Sequence, residues 1–294
     1  MKLIKKSLAV MIALTLVCLS VVAGMAASTK YAEGGYYYSI LNNNEVELAG
    51  RSDEMYVVTV PAVLGQRAVT VVANRAFKDD TAITGLDFSQ ASNLLVIGVY
   101  SFAGCSSLNT KITIPETVYS IEMCAFQNCS SIPEVEINGE LAAIPTQCFN
   151  GCTSLQQVTL NDGLQTISNY AFANCTSLSY VSIPASVTSI DVSAFYNSSN
   201  VTLGVYSDSY AHQFAIDNNL PFELLDEFVK GDADLNGIVN VNDVTAIQRY
   251  AAEYDEFSAL QLRAADINGD GFVSVADATY IQRYLAEYAD AVID

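Results

Sequence analysis

The 294-residue chain has no tryptophan and a single histidine, His212. One imidazole leaves nothing from which to assemble alternative Ser-His-Asp or Cys-His catalytic arrangements, and Cys-His spacing of the zinc kind is absent. Without indole rings, the chain also lacks the usual platform for a sugar ring. Positive charge is scarce, with 13 Lys and Arg against 32 Asp and Glu and a formal net charge of -19. A phosphate polymer or an anionic membrane surface would repel such a chain, so nucleic acid is excluded as a partner and calcium is the natural counter-ion.

Past the N-terminus no apolar run is long enough to span a bilayer. Residues 1–26 read as an export signal: Lys2, Lys5 and Lys6 precede an apolar run from Leu8 to Val22, followed by Ala23, Gly24, Ala26 and Ala27. That run is about fifteen residues long, short of the roughly 20 a spanning helix needs. Val17 precedes Cys18 where a lipoprotein signal would need a small residue. A secreted, extracellular chain without membrane insertion is therefore expected. Removing Cys18 leaves six cysteines, an even number that in an oxidising compartment would ordinarily point to disulfides.

A repeat argues against that framework. Phe77, Phe102, Phe126, Phe149, Phe172 and Phe195 are separated by 25, 24, 23, 23 and 23 residues. In the same phase, Val69 to Val72, Leu94 to Ile97, Val118 to Ile121, Leu141 to Ile144, Leu164 to Ile167 and Val187 to Ile190 each read apolar, two variable residues, apolar. Between them lie alternating stretches at Ile112 to Ile114, Val135 to Ile137, Val158 to Leu160, Val181 to Ile183 and Val201 to Leu203, which suit half-buried strands with Thr113, Glu136, Thr159, Ser182 and Thr202 facing outward. A unit of this size cannot bury its own apolar face, so the units must stack into a solenoid.

Units such as Asn169 to Ser179, followed by YVSIPASVTSI, resemble the BspA-like leucine-rich repeats of bacterial surface proteins. The resemblance covers roughly residues 57 to 225. Tyr36 to Val46 reads as a hairpin turning at Asn42 to Asn44, and the segment from Val205 to Leu225 resembles the closing cap of such arrays, so the expected domain runs over 29–225. Cys105, Cys129, Cys152 and Cys175 each follow a repeat phenylalanine by three residues and are expected as a column of buried thiols. Asp80 and Ser198 replace the repeat cysteine in the outermost units, where weaker burial is expected. Cys124 and Cys148 are off this register, and their spacing leaves a disulfide open.

The solenoid shows no catalytic pattern. Its acids, Glu116, Glu122, Glu134, Glu136, Glu140, Asp162 and Asp191, share no repeat position that would pair carboxylates for glycoside cleavage. Tyr100, Tyr119, Tyr170, Tyr180, Tyr196 and Tyr206 vary in position and read as mixed packing and surface residues. Repeat arrays offer broad surfaces for macromolecules, so adhesion or protein recognition is the expected role and no enzyme is expected.

After Gly231 two twelve-residue segments appear 34 residues apart, Asp232 to Asp243 and Asp266 to Asp277. Oxygen-bearing side chains occupy positions 1, 3, 5, 9 and 12 of each: Asp232, Asp234, Asn236, Asn240 and Asp243, then Asp266, Asn268, Asp270, Ser274 and Asp277. Position 6 is Gly237 or Gly271, where such a loop turns sharply, and position 7 gives its backbone carbonyl, here Ile238 and Phe272. The pattern calls for two calcium ions. The segments share 13 identities over the 23 residues to Tyr254 and Tyr288.

Both loops end in aspartate where an ordinary EF-hand ends in glutamate, and no convincing helix precedes Asp232. In these features residues 231–294 resemble a type I dockerin. The expected fold is thus an α/β leucine-rich-repeat solenoid followed by a small all-α dockerin with two EF-hand-like calcium loops. The helices after the loops should pack together through Val244, Ile247 and Ala251 and through Ala278, Ile281 and Leu285. The resemblance implies docking to a cohesin module of a scaffold protein, through Val241, Asn242, Gln248, Arg249 and Glu253 in one copy and Val275, Ala276, Gln282, Arg283 and Glu287 in the other. Because the copies nearly match, either face is expected to serve. Valine in place of a hydroxyl residue at position 10 points to a more apolar contact. The implied role is a non-catalytic secreted component of a cellulosome-like or amylosome-like complex, surface-associated through its scaffold and displaying the solenoid to a protein, cell surface or polysaccharide. The rival is a polysaccharide-binding accessory or, less readily, a glycan-active enzyme delivered to the same complex.

Overall fold

The computed structural model describes residues 30–288 and residue 293, so the export signal expected over 1–26 lies outside the described residues. Among the described residues no helix is long and apolar enough to cross a membrane. The chain opens with an antiparallel cap. β1 (Tyr31–Glu33) and β2 (Tyr36–Ile40) turn through Gly34 and Gly35, both at positive φ, where a Cβ would be strained. β2 pairs with β3 (Val46–Arg51) across the expected Asn42 to Asn44 turn, with Asn44 at φ 66°. β1 is an addition that its three exposed residues did not signal.

From β3 onward most pairing is parallel, and each coil contributes two short strands. One row takes up the second half of each apolar-x-x-apolar segment: β6 (Arg67–Val72), β8 (Val96–Ile97) and β10 (Ser120–Ile121) continue from β3, and β12 (Ala143–Ile144), β14 (Thr166–Ile167) and β16 (Ser189–Ile190) form a second sheet. β5 (Val63–Leu64) folds back antiparallel on β6. The other row pairs β4 (Val57–Thr59) with β7 (Gly85–Asp87), then runs through β9 (Ile112–Ile114), β11 (Glu134–Ile137), β13 (Gln157–Thr159), β15 (Tyr180–Ser182), β17 (Thr202–Val205) and β18 (Phe222–Leu224). Thr113, Glu136, Thr159 and Ser182 stand in register as expected. The next rung is Gly204, not the expected Thr202, because the last interval is one residue short and Leu203 aligns with Val181. A Cβ at Gly204 would run into the Tyr180 ring, whose hydroxyl donates to Glu223 at 3.0 Å.

The phenylalanines form one stack inside the solenoid. Successive rings from Phe77 to Phe195 lie 5.1 to 5.7 Å apart with interplanar angles of 2 to 11°. Two residues past each ring the backbone turns left-handed, at Asp79, Gly104, Asn128, Gly151, Asn174 and Asn197. Glycine, asparagine and aspartate are the residues that enter this region most readily, so the column is a repeat signal in its own right that the apolar markers overlooked. Its last two members are also linked, Asn197 Nδ2 donating to Asn174 Oδ1 at 2.9 Å, and Asn174 Nδ2 in turn donates to Asn150 Oδ1, beside Gly151, at 2.9 Å.

The cysteine column is present. Cys105, Cys129, Cys152 and Cys175 direct their thiols at the carbonyl oxygens of Phe77, Phe102, Phe126 and Phe149 in the preceding coil, at 3.1 to 3.3 Å. Ser198 takes the same place with its hydroxyl 2.8 Å from the Phe172 carbonyl and is only 1% exposed. The weaker burial expected there is therefore wrong, because the hydroxyl is fully hydrogen-bonded and costs little to bury. Asp80 is half-buried and takes a two-pronged ion pair from Arg51 at 2.5 and 2.8 Å. All six described cysteines are free and buried, Cys124 and Cys148 included.

Turns close each coil, so the helical content of the solenoid sits in its cap, α1 (Tyr210–Asp217). Ser209 caps it by accepting from the His212 N–H at 3.2 Å. His212 is buried, its Nδ1 accepting from the Asp208 N–H at 3.2 Å and its ring 4.8 Å from that of Phe222. The histidine is thus used in closing the cap. A second, separate core lies in the C-terminal module, around Ala233, Val244, Ile247, Ala265, Ile267, Ala278 and Ile281.

Two outcomes are expected of the solenoid. Phe149→Ala should cost about 3–5 kcal/mol, read from the midpoint of urea unfolding, since it opens a hole between two stacked rings. Burial pushes the Cys129, Cys148 and Cys152 thiols well above their ordinary range and the Cys175 thiol up to about 12. Iodoacetamide at pH 8 should therefore leave them unmodified in the native protein and label them once it is unfolded, as read by intact mass.

Candidate functional site

Both C-terminal loops turn polar side chains inward onto their own backbone N–H groups. Gly237 and Gly271 each adopt φ 86° and make the sharp turn. Asp232 accepts from the Asn236 N–H at 3.0 Å and the Gly237 N–H at 2.7 Å, and Asp266 accepts from those of Asp270 at 3.2 Å and Gly271 at 3.0 Å. Asn236 and Asp270 in turn accept from the Ile238 and Phe272 N–H groups at 2.9 Å. In the first loop Asn240 Nδ2 folds back onto the Ile238 carbonyl at 2.9 Å.

The closing aspartates do two things at once. Asn240 and Ser274 are the N-caps of α2 (Val241–Ala251) and α4 (Val275–Leu285), and Asp243 and Asp277 complete capping boxes from the third helical position. Each also reaches the far side of its loop: Asp243 Oδ1 accepts from the Asp234 N–H at 3.1 Å, and Asp277 Oδ1 from the Ile267 N–H at 3.0 Å. A side chain as short as aspartate makes both contacts because the helix begins directly on the loop. Both carboxylates are buried.

Carboxylate oxygens of Asp232, Asp234 and Asp243 lie within 4.8 Å of one another. Burial pushes the Asp243 carboxyl above its ordinary range, opposed by the Asn240 and Asp234 N–H groups and reinforced by the charges of Asp234 and Asp232. Such a set of hard, mutually repelling oxygens fits a divalent cation, and calcium takes six to eight of them. In the second loop Asn268 stands where the first has Asp234, its Nδ2 donating to Asp270 Oδ2 at 2.9 Å.

The two helices pack against each other through Val244 and Ile247 on one side and Ala278 and Ile281 on the other, all buried. Ala251 and Leu285, expected in this seam, are exposed, because each is the last residue of its helix and projects beyond the core. A third helix, α3 (Ala259–Ala265), precedes only the second loop, with Asp266 as its C-cap. The first loop is braced instead by Gln261 Nε2 donating to the Ala233 carbonyl at 3.0 Å.

All ten side chains assigned to partner contact are exposed: Val241, Asn242, Gln248, Arg249, Glu253, Val275, Ala276, Gln282, Arg283 and Glu287. Arg249 makes a two-pronged ion pair with Asp255 at 2.5 and 2.9 Å, whereas the Arg283 guanidinium stands 5.5 Å from the Tyr288 ring centre. Sequence spacing did not reveal the Asp255 contact, which depends on the chain reversing after α2. It did not reveal the joint to the solenoid either. Arg263 in α3 donates to the Leu224 carbonyl of β18 at 3.2 Å and lies 4.7 Å over the Phe228 ring.

Residues 70–202 match six copies of the BspA type leucine rich repeat region, and residues 230–286 match the dockerin type I domain. The chain joins a BspA-type leucine-rich-repeat region to a type I dockerin. Type I dockerins bind calcium and have cohesins as their partners, and neither kind of domain is catalytic. Among solved structures, a leucine-rich-repeat protein of T. pallidum shares 20% identity at a TM-score of 0.50, covering 66% of this chain and 98% of its own. One from Eubacterium ventriosum shares 22% identity at a TM-score of 0.47, covering 56% of this chain and 44% of its own. The first supports the solenoid fold. No curated protein matches the chain.

Within the solenoid, Lys111 bridges the neighbouring acids Glu134 and Glu136, at 2.8 Å to each. Tyr170 and Tyr196 are both exposed and meet edge to face with ring centres 6.1 Å apart. For the dockerin, Gly237→Ala should cost about 1–2 kcal/mol by forcing a Cβ into the left-handed region. The module's unfolding transition should move down while that of the solenoid stays in place, as followed by calorimetry.

Proposed function

We propose that the chain is a secreted, non-catalytic component of a cellulosome-like or amylosome-like assembly, docked by residues 231–294 and displaying the solenoid of residues 29–225 for adhesion or protein recognition. The observation that carries the proposal is the duplicated loop. In each copy the residue that closes the loop also completes the cap of a helix whose outer side carries an exposed Gln-Arg pair. In this reading two calcium ions are held, one by Asp232, Asp234, Asn236, the Ile238 carbonyl, Asn240 and Asp243, the other by Asp266, Asn268, Asp270, the Phe272 carbonyl, Ser274 and Asp277. Metal and helix position are then coupled, because the carboxylate that binds the ion also caps the helix that meets the cohesin.

A second reading, delivery of a polysaccharide-binding surface to the same assembly, draws on the exposed Tyr170 and Tyr196 rings.

Calorimetric titration of the chain with type I cohesin modules tests the first reading. Binding is expected in calcium and should be lost in EDTA, with Asp243→Ala and Asp277→Ala combined reproducing the loss. Retained cohesin affinity after chelation would contradict the metal assignment. Pull-down on cellulose, xylan, pectin and starch separates the second reading, and reducing sugar released from any of them would sink the non-catalytic assignment.

A further inference from the structure

Positions 7 to 11 of the two calcium loops carry no charged side chain in either copy, from Ile238 to Asn242 and from Phe272 to Ala276, in a chain of net charge -19. Position 8 is valine both times, and Val239 and Val273 pack on the module's core. Position 7 does the opposite. Ile238 is 66% exposed and Phe272 is 76% exposed, and three residues on, Val241 and Val275 are 67% and 64% exposed.

Calcium does not ask for these side chains, since position 7 contributes its backbone carbonyl and any residue provides one. Large apolar groups held in water at matching places in both copies are unfavourable until something covers them. The capping boxes fix the start of each helix, so each apolar pair stands on a rigid loop-helix corner. That corner is continuous with the helix positions assigned above to the cohesin.

We infer that Ile238 and Phe272 are themselves partner-contact residues, extending each docking face from Val241 or Val275 onto the calcium loop, and that the cohesin presents an apolar, uncharged strip there. This rests on the cohesin-docking reading and adds to it the chemistry of the partner. The two exposed pairs also keep the faces equivalent, so one face can replace the other.

The test uses the full chain, saturated with calcium, against immobilised type I cohesin modules. Ile238→Ser or Phe272→Ser alone should change affinity by less than about threefold, because the other face substitutes. The double variant should bind about tenfold or more weakly, as expected for apolar contacts of this size. Calcium is kept saturating throughout, and occupancy of both loops in the double variant is verified by titration before its cohesin affinity is read. Should the serine pair disturb the loops, Ile238→Thr with Phe272→Thr places a β-branched side chain at both positions and should show the same loss. Wild-type affinity in a calcium-loaded double variant overturns the inference. A wild-type chain that binds no cohesin overturns the docking reading and this inference together. Sedimentation supplies the remaining arm: calcium-dependent self-association abolished in the double variant, with cohesin affinity intact, would assign the apolar corners to a second copy of this chain and overturn the cohesin contact.

Discussion

The solenoid depends on the stacking of one phenylalanine per coil. A coil of this length buries its phenylalanine with a handful of aliphatic side chains, too few to exclude water alone, so each inner ring stays dry between the rings of the coils on either side. That requirement dictates the rest of the repeat. The turn past each ring must be tight, which places glycine, asparagine or aspartate at Asp79, Gly104, Asn128, Gly151, Asn174 and Asn197. The space between coils must be filled by something small that also bonds to the coil before it, which places a thiol, or at Ser198 a hydroxyl, on each preceding phenylalanine carbonyl.

A stack of this kind has two open ends, and they are closed differently. At the start, antiparallel hairpins convert to parallel pairing between β3 and β6. At the finish, α1 and β18 close the last coil, with His212 buried between the Asp208 backbone and Phe222. β18 is the last strand of its row, and the Leu224 carbonyl on it is taken by Arg263 of the dockerin. The docking module thereby covers part of the strand edge to which it is attached, an edge that would otherwise be a template for another chain.

The dockerin follows a different logic. It has a small core, and its first loop brings the carboxylates of Asp232, Asp234 and Asp243 together where they repel. The energy to hold them comes from the backbone N–H groups pointed inward and, in the calcium-binding family to which the module is matched, from the ion. Asp243 and Asp277 join the two roles of loop and helix because each is both a loop oxygen and a helix cap.

The repeat period, the buried phenylalanine and cysteine columns, the hairpin at Asn42 to Asn44 and both loops were legible in the sequence, because each rests on a residue type recurring at a fixed spacing. Local rules of this kind are carried by neighbours along the chain. The left-handed column was equally legible and was missed by attending to apolar markers alone. The tertiary structure alone decided what distant residues do to one another: Gly204 in place of Thr202 on the last rung under the Tyr180 ring, Ser198 buried by its bond to Phe172, Leu285 left in water, Arg249 turned to Asp255, and Arg263 reaching the solenoid. These depend on where a coil runs one residue short or where a chain reverses after a helix, and spacing along the sequence does not encode that geometry.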